Sequence, residues 1–182
     1  MKVPVLVFDN IMLRDIKKSD AKDLFEYGSD LEVVKYLNWG PYEYEQEAKE
    51  AISTYFLTRP SKGLPVGYAI IDLEKNKMIG TVDFHTFRGP NTVELGYALN
   101  KNYWNRGVMS KCVAKILEVG FYTLGYDKIY CGYVVGNPGS QRVIEKNKFK
   151  FEYNDPKGYF DRFTGETVET RFYSITKEEF VK

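Results

Sequence analysis

Two cysteines and one histidine among 182 residues are too few for several kinds of functional site. Cys112 and Cys131 make no disulfide framework, and the reducing cytoplasm is the expected setting. A single histidine, His85, excludes any metal centre built on several His ligands, and no metal is expected. It also leaves at most one candidate for a Ser-His-Asp arrangement. No apolar run approaches the roughly 20 residues of a membrane helix. The opening Val3-Pro4-Val5-Leu6-Val7-Phe8 stops at Asp9, short of a signal-peptide core. Neither sign of charge dominates: 26 Lys+Arg against 25 Asp+Glu leave a formal net charge of +1. That excludes a strongly basic nucleic-acid binder, so neither nucleic acid nor membrane is an expected partner. Two phosphate-binding glycine patterns are missing as well, the Gly-Lys-Ser/Thr of a P-loop and the Gly-x-Gly-x-x-Gly of a dinucleotide fold.

What remains is an ordinary globular composition, 43% hydrophobic and 28% charged, long enough for one domain spanning residues 1–182. Strand and helix patterns alternate at short spacing, the signature of an α/β or α+β fold. Val3 to Val7 and Ile11 to Arg14 read as strands. Ser19 or Asp20 caps a helix to about Tyr27, and Leu31 to Tyr36 is a second short helix. Tyr44 to Thr58 carries a helical apolar face ended by Pro60 and Gly63. Residues 66–99 read as a three-stranded antiparallel meander turning at Asn76 and Asn91. A long helix over about Gly107 to Leu124 leads to a strand at Lys128 to Val135, which implies a right-handed crossover between parallel strands. Ser140 to Asn147 is a short helix, with strands at Phe149 to Tyr153 and Thr167 to Thr176.

Charge is uneven along the chain. Residues 101–150 hold 9 basic and 3 acidic side chains, an excess that suits an anionic ligand or, equally, a solvated helix face. Inside this stretch, Tyr103-Trp104-Asn105-Arg106-Gly107-Val108-Met109-Ser110 lies between a strand and a helix start. A helix start offers unpaired amides and a partial positive charge, and glycine lets a phosphate approach them. Arg106 adds a fixed charge; Gly107 alone also fits a simple tight turn. A second cluster, Asn137-Pro138-Gly139-Ser140, follows the next strand. Ser140 is placed to cap a helix, and Asn137 offers both a donor and an acceptor. If the two strands are parallel neighbours, both clusters meet at one carboxyl-terminal sheet edge, where such sheets bind ligands.

From about residue 11 to 180 the chain resembles the GNAT superfamily of acyl-CoA-dependent N-acetyltransferases, and within it the RimJ/RimL-type ribosomal-protein branch. The resemblance rests on Met12-Leu13-Arg14, Val33 to Trp39, Ile79-Gly80, Val93-Glu94-Leu95-Gly96-Tyr97-Ala98-Leu99, Tyr103 to Ser110, and Asn137-x-x-Ser140 followed by Val143 to Phe149. The general phosphate signature, Gln/Arg-x-x-Gly-x-Gly/Ala, has Trp104 and Met109 in its first and last places, as is common in this branch. Ser110-Lys111 stands where the branch usually has Thr-Glu, and Lys148 where it has Gly.

The resemblance implies a mixed, mostly antiparallel sheet with a splayed parallel strand pair and helices on both faces. Acetyl-CoA is the co-substrate it implies. Backbone groups of Tyr97, Ala98 and Leu99 would bind the pantetheine arm. Asn105, Arg106, Gly107, Val108, Met109 and Ser110 would hold the pyrophosphate, with Asn137 and Ser140 across the gap. A neutral amine would attack directly, with no covalent enzyme intermediate. Ser140 is the branch's usual candidate for protonating the departing thiolate. Glu94 is the best candidate base, or else a salt-bridged glutamate; Asp83, His85 and Asp161 are weaker. The acceptor pocket is expected around residues 37–42 and the loop near Tyr159 to Phe163, with Trp39, Tyr42, Phe84 and His85 touching substrate. Deprotonating an α-amine of pKa near 8 at pH 7 costs roughly 1 kcal/mol, against about 4–5 kcal/mol for a lysine. That favours a protein N-terminal α-amine over a side-chain amine. A polyamine, an aminoglycoside and a non-catalytic acyl-CoA-binding module remain alternatives, on a monomer or homodimer.

Overall fold

The computed structural model describes residues 3–180. Its strands are β1 (Leu6–Phe8), β2 (Ile11–Asp15), β3 (Tyr68–Asp72), β4 (Lys77–Gly89), β5 (Thr92–Leu99), β6 (Lys128–Val134), β7 (Lys150–Asp161) and β8 (Glu166–Thr176). They form one sheet in the order β1-β2-β3-β4-β5-β6-β8-β7. Every neighbouring pair is antiparallel except β5 and β6.

The helices are α1 (Ala21–Gly28), α2 (Leu31–Val34), α3 (Glu45–Ala51), α4 (Val108–Glu118), α5 (Pro138–Lys146) and α6 (Lys177–Phe180). They pack on both faces. On one, Met109, Cys112, Val113 and Ile116 of α4 meet Ile70, Val82, Phe84, Val93, Leu95 and Ile129 of the strands. On the other, Leu24 and Tyr27 of α1 and Ala48 of α3 meet Ala69, Ile71, Met78 and Ala98. Each large side chain so buried contributes about 1.5–3 kcal/mol. The two cores are what the period-2 strands and the three-four spacing of the helices require.

Several boundaries differ from the sequence reading, each for a local reason. The first strand starts at Leu6 because Pro4 has no N–H to give a ladder; its carbonyl accepts from the Tyr68 hydroxyl instead. The helix expected over 44–58 is α3 followed by a π-turn at Ile52–Phe56, closed by Leu57 N donating to Ile52 O. The long crossover helix likewise ends in a π-turn, Val119–Thr123. The strand expected to stop at Tyr153 runs on to Asp161. Pro156 and Gly158 are tolerated because β7 is an edge strand and its register shifts between Asp155 and Tyr159.

Candidate active site

The site is made by a strand pair that separates. β5 and β6 pair only from Thr92↔Lys128 to Leu95↔Cys131. Past that point β5 follows β4 as far as Leu99↔Gly80, while β6 follows β8 as far as Val134↔Thr170. Gly96–Leu99 and Gly132–Val134 therefore face each other across a gap, unpaired on that side. The gap belongs to a cleft of about 810 Å³, within the usual range for small-molecule sites.

One end of the cleft is a helix start without a cap. Gly107 is the N-cap of α4 with φ 74°, and no side chain bonds the first-turn amides. The amides of Val108, Met109 and Ser110 are thus left without intrahelical partners, and all three residues line the cleft. Asn105, two residues earlier, has φ 60°, so the loop is concave. A Cβ built on Gly107 would meet nothing within 4 Å, so its left-handed φ, not crowding, calls for glycine there. Arg142 of α5 donates to Asn105 Oδ1 at 3.2 Å and fixes the loop to the neighbouring helix.

The basic excess is concentrated at this corner. Lys101, Lys111, Lys115, Lys128 and Lys150 are each ion-paired. Among the described residues Arg106, Arg142, Lys146 and Lys148 have no acidic partner, and Arg142 and Lys146 line the cleft. Uncapped amides and unpaired cations together suit a polyanionic group such as a diphosphate.

The other end is built from side chains. Asp83, His85 and Glu94 face the cleft from β4 and β5. Arg88 Nε and Nη2 both reach Glu94 Oε2, each at 2.6 Å, leaving Oε1 toward His85 Nε2 at 3.9 Å. Asp83 Oδ1 lies 3.1 Å from Arg59 Nη1, with both side chains under 10% exposed. Arg59 stacks on the rings of Tyr55 and Phe56, which the π-turn after α3 presents side by side. Neither arginine lines the cleft, so each carboxylate faces the cavity with its counter-charge behind the wall. His85 is the extra residue of a bulge in β4, between Phe84↔Leu95 and Thr86↔Glu94, and its ring lies over Gly96. A Cβ at Gly96 would come within 2.8 Å of that ring.

A strap closes this end. The Tyr36 hydroxyl donates to Gly136 O at 2.6 Å, and the Tyr159 hydroxyl to Lys35 O at 2.9 Å. Arg162 donates to the carbonyls of Leu37 and Trp39. The β7–β8 hairpin thereby holds residues 35–39 over the cleft.

The cleft brings together Trp39, His85, Glu94, Tyr97, Ala98, Leu99, Asn105, Gly107, Val108, Met109, Ser110, Asn137 and Ser140. Other expected residues take different places. Phe84 is 1% exposed and packs edge-on against Tyr126 in the α4 core, because strand alternation turns Val82 and Phe84 to that core and Thr81, Asp83 and His85 to the cleft. Tyr42 does not line the cleft; it stacks on Trp39 from behind at 5.6 Å, and burial pushes its phenol up to about 12. The Arg106 guanidinium lies over the Tyr103 ring, outside the cleft lining. Ser140 does not cap α5: Asn137 is the N-cap and its Oδ1 accepts from Ser140 N at 3.1 Å, while Pro138 needs no N–H partner at the first position. Asp161, a weaker base candidate, accepts from the Phe163 amide in the hairpin turn and does not line the cleft. Arg59, Arg88 and Tyr36 were not foreseen. Nothing local marks Arg59, whose partner is 24 positions away; Arg88 and Glu94 flank a predicted turn, which is the one hint of their pairing.

A parted parallel strand pair, an uncapped helix start and a cation-rich corner make a cleft suited to an extended ligand that carries a diphosphate, with a polar pocket beyond. Residues 10–150 match the model of the acetyltransferase (GNAT) domain. The chain belongs to the GNAT family and is an N-acetyltransferase of that family. It is 27% identical over 176 residues to the uncharacterized N-acetyltransferase p20 of Bacillus licheniformis, covering 96% of this chain and 97% of the relative. The fold is similar to that of RimL, a ribosomal L7/L12 α-N-protein acetyltransferase solved in complex with coenzyme A, at TM-score 0.82 and 19% identity over 95% of this chain and 98% of that one. It is equally similar to a spermidine N-acetyltransferase SpeG chimera from Vibrio cholerae and hSSAT, at TM-score 0.79 and 18% identity over 96% and 99%. No helix among the described residues is long and apolar enough to cross a membrane.

Proposed function

We propose that the chain, as one domain, transfers the acetyl group of acetyl-CoA to a protein N-terminal α-amine. The observation that carries this reading is the charge state of the acceptor wall. Asp83 and Glu94 are each already matched by an arginine, so the wall offers directed acceptors without the surplus negative charge a polyamine or aminoglycoside calls for. The RimL likeness favours the same acceptor, and the SpeG chimera stands for the second reading, a small polyamine. Two buried free thiols fit the cytoplasmic setting that the sequence suggests.

The residues present fit acetyl-CoA: the uncapped amides suit its diphosphate, and the unpaired edge of β5 suits its extended arm. When bound, acetyl-CoA supplies the activated thioester carbonyl. The amides of Val108, Met109 and Ser110 hold the diphosphate, aided by Arg142 and Lys146. Tyr97, Ala98 and Leu99 offer main-chain groups as a strand edge does, and an N–H there polarises the carbonyl. Trp39 and His85 border the acceptor. Glu94 Oε1 accepts the amine's proton through water, which suits an α-amine near pKa 8 because such an amine gives up its proton at far lower cost than a lysine. Ser140 donates its hydroxyl to the departing sulfur.

Thiol release from acetyl-CoA, followed across peptides with free N-termini, lysine-only peptides, polyamines and aminoglycosides, tests this. The expected product is a mass gain of about 42 Da on the α-amine. Turnover confined to polyamines would replace the acceptor, and coenzyme binding without turnover on any amine would leave a non-catalytic module.

A further inference from the structure

The Tyr97 side chain does something that strand geometry alone does not ask of it. From β5 it crosses beneath the gap to α5 on the far side. Its hydroxyl lies 2.8 Å from Ser140 Oγ, 3.3 Å from Ser140 O and 3.9 Å from Cys131 Sγ. Burial pushes its phenol well above the ordinary value of 10.0, so the hydroxyl keeps its proton throughout the working range.

We infer that Tyr97 is a positioning residue for the Ser140 hydroxyl, orienting the proton of Ser140 toward the coenzyme sulfur. The inference rests on the cofactor placement proposed above. Its logic is one of proton count. Either hydroxyl can donate across the 2.8 Å contact; because the phenol is the stronger acid and Ser140 Oγ lies nearer to it than Ser140 O, we take Tyr97 as the donor and Ser140 Oγ as the acceptor. That leaves the Ser140 proton unspent and free to turn into the cleft. The bond from Tyr97 also polarises Ser140 and strengthens it as a donor. Without Tyr97, Ser140 is free to turn its proton elsewhere and to meet a developing thiolate with a lone pair. Neither hydroxyl gives up its proton. Ser140 stabilises negative sulfur by donation, and the proton lost by the amine is the one that sulfur finally acquires.

The test reads the sulfur directly and needs no acceptor. The thiol of coenzyme A bound to the full chain is titrated by the ultraviolet absorbance of the thiolate. The groups around the pair leave this signal clean. Cys131 on β6 and Cys112 on α4 are both pushed up to about 12 by burial, so neither ionises in the range observed. Arg142 and Lys146 on α5 and Glu94 on β5, which Arg88 holds, are charged groups that also line the cleft.

In the wild-type complex the thiol is expected to titrate about one pH unit below its value free in water, a tenfold gain in thiolate at a given pH. Tyr97→Phe keeps the ring that fills the gap and is expected to lose that gain. Ser140→Ala loses it equally, the double variant loses no more, and Ser140→Thr, which keeps a hydroxyl, retains it. A wild-type titration midpoint in Tyr97→Phe overturns the inference, as do additive losses in the double variant. Failure of Tyr97→Phe to bind coenzyme assigns Tyr97 a structural role and overturns it too. Absence of binding to the wild-type chain is a different result: it removes the cofactor placement itself, and this inference with it.

Discussion

The two ends of the cleft are made of different material. The end proposed for the cofactor is mainly main chain: three uncapped amides, two left-handed residues and a strand edge that has left its neighbour. The acceptor end is side chain: two carboxylates, a bulged histidine and two arginines that come from separate elements. A main-chain site needs only the right φ angles and a helix that starts in the right place. A side-chain site needs charges that are far apart in sequence to meet in the folded state and to be balanced there. The first is therefore tolerant of most substitutions and sensitive to a few, while the second ties binding to stability.

The sharpest way to break this comparison is to remove the buried counter-charge at the acceptor end. Arg59→Met leaves Asp83 uncompensated beside Tyr55 and Phe56, and stability should fall by about 3–5 kcal/mol in urea unfolding. Arg59→Met with Asp83→Asn should recover most of that loss, because the isolated charge and not the missing contact carries the cost. Equal losses in the single and the paired variants would show that Arg59 matters for packing alone.

At the cofactor end the decisive change is a competitor for the amides. Gly107→Asp places a carboxylate at the N-cap, where it can accept from the first-turn N–H groups that the diphosphate needs. Asp tolerates a left-handed φ better than most residues, so the fold should survive. Coenzyme affinity should drop about 100-fold by calorimetry, with little change in unfolding free energy. Arg59→Met and Gly107→Asp thus act on opposite properties, and a variant that moved both together would erase the distinction between the two ends.

The same distinction explains what could be read from the sequence. The strand edge and the helix start were legible because their parts lie within short stretches: the alternation of Val93 to Leu99, the break at Asn105 to Gly107, and the three-four spacing from Met109 onward. The turns at Asn76 and Asn91 were legible for the same reason, and both residues take positive φ. The acceptor end was not. The burial of Arg59 depends on Asp83, and the register of His85 against Glu94 depends on a one-residue shift between β4 and β5 that no periodicity records. Phe84 was misplaced because adjacent residues of a strand face opposite sides, so it and His85 do not both line the cleft. Ser140 was taken for a cap because Asn137 three residues before it has the same capacity, and only the φ and ψ of the pair decide which one stands outside the helix. The length of β7 was hidden by Asn154-Asp155-Pro156, residues that end a central strand but not an edge strand.

A smaller effect tests whether the acceptor end does chemistry as well as bind. Glu94→Gln keeps an oxygen for Arg88 and removes the ability to take a proton. Turnover with an α-amine acceptor should fall about tenfold or more, with coenzyme affinity unchanged. A comparable rise in the acceptor KM at constant kcat would instead make Glu94 a binding group, and proton removal would pass to solvent or to His85.

The smallest effect concerns the floor of the cofactor end. Cys131 is 1% exposed, and burial pushes its thiol up to about 12, as it does for Cys112 on α4. At pH 8 only about one thiol in ten thousand is ionised at that value. Iodoacetamide should therefore label neither cysteine in the native chain at pH 8 and both in urea. The sign of the accompanying pH dependence follows from the protonated form being the one the fold prefers. Its contribution is intact below the ordinary value of 9.0 and is lost as pH rises from there toward 12. By pH 10 the loss should reach about 1 kcal/mol per thiol, and Cys131→Ala should remove its share of the slope. Rapid labelling of Cys131 in the native chain would mean that β5 and β6 open below the gap as well as along it. The cofactor end would then owe its shape to what binds there and not to a fixed main chain.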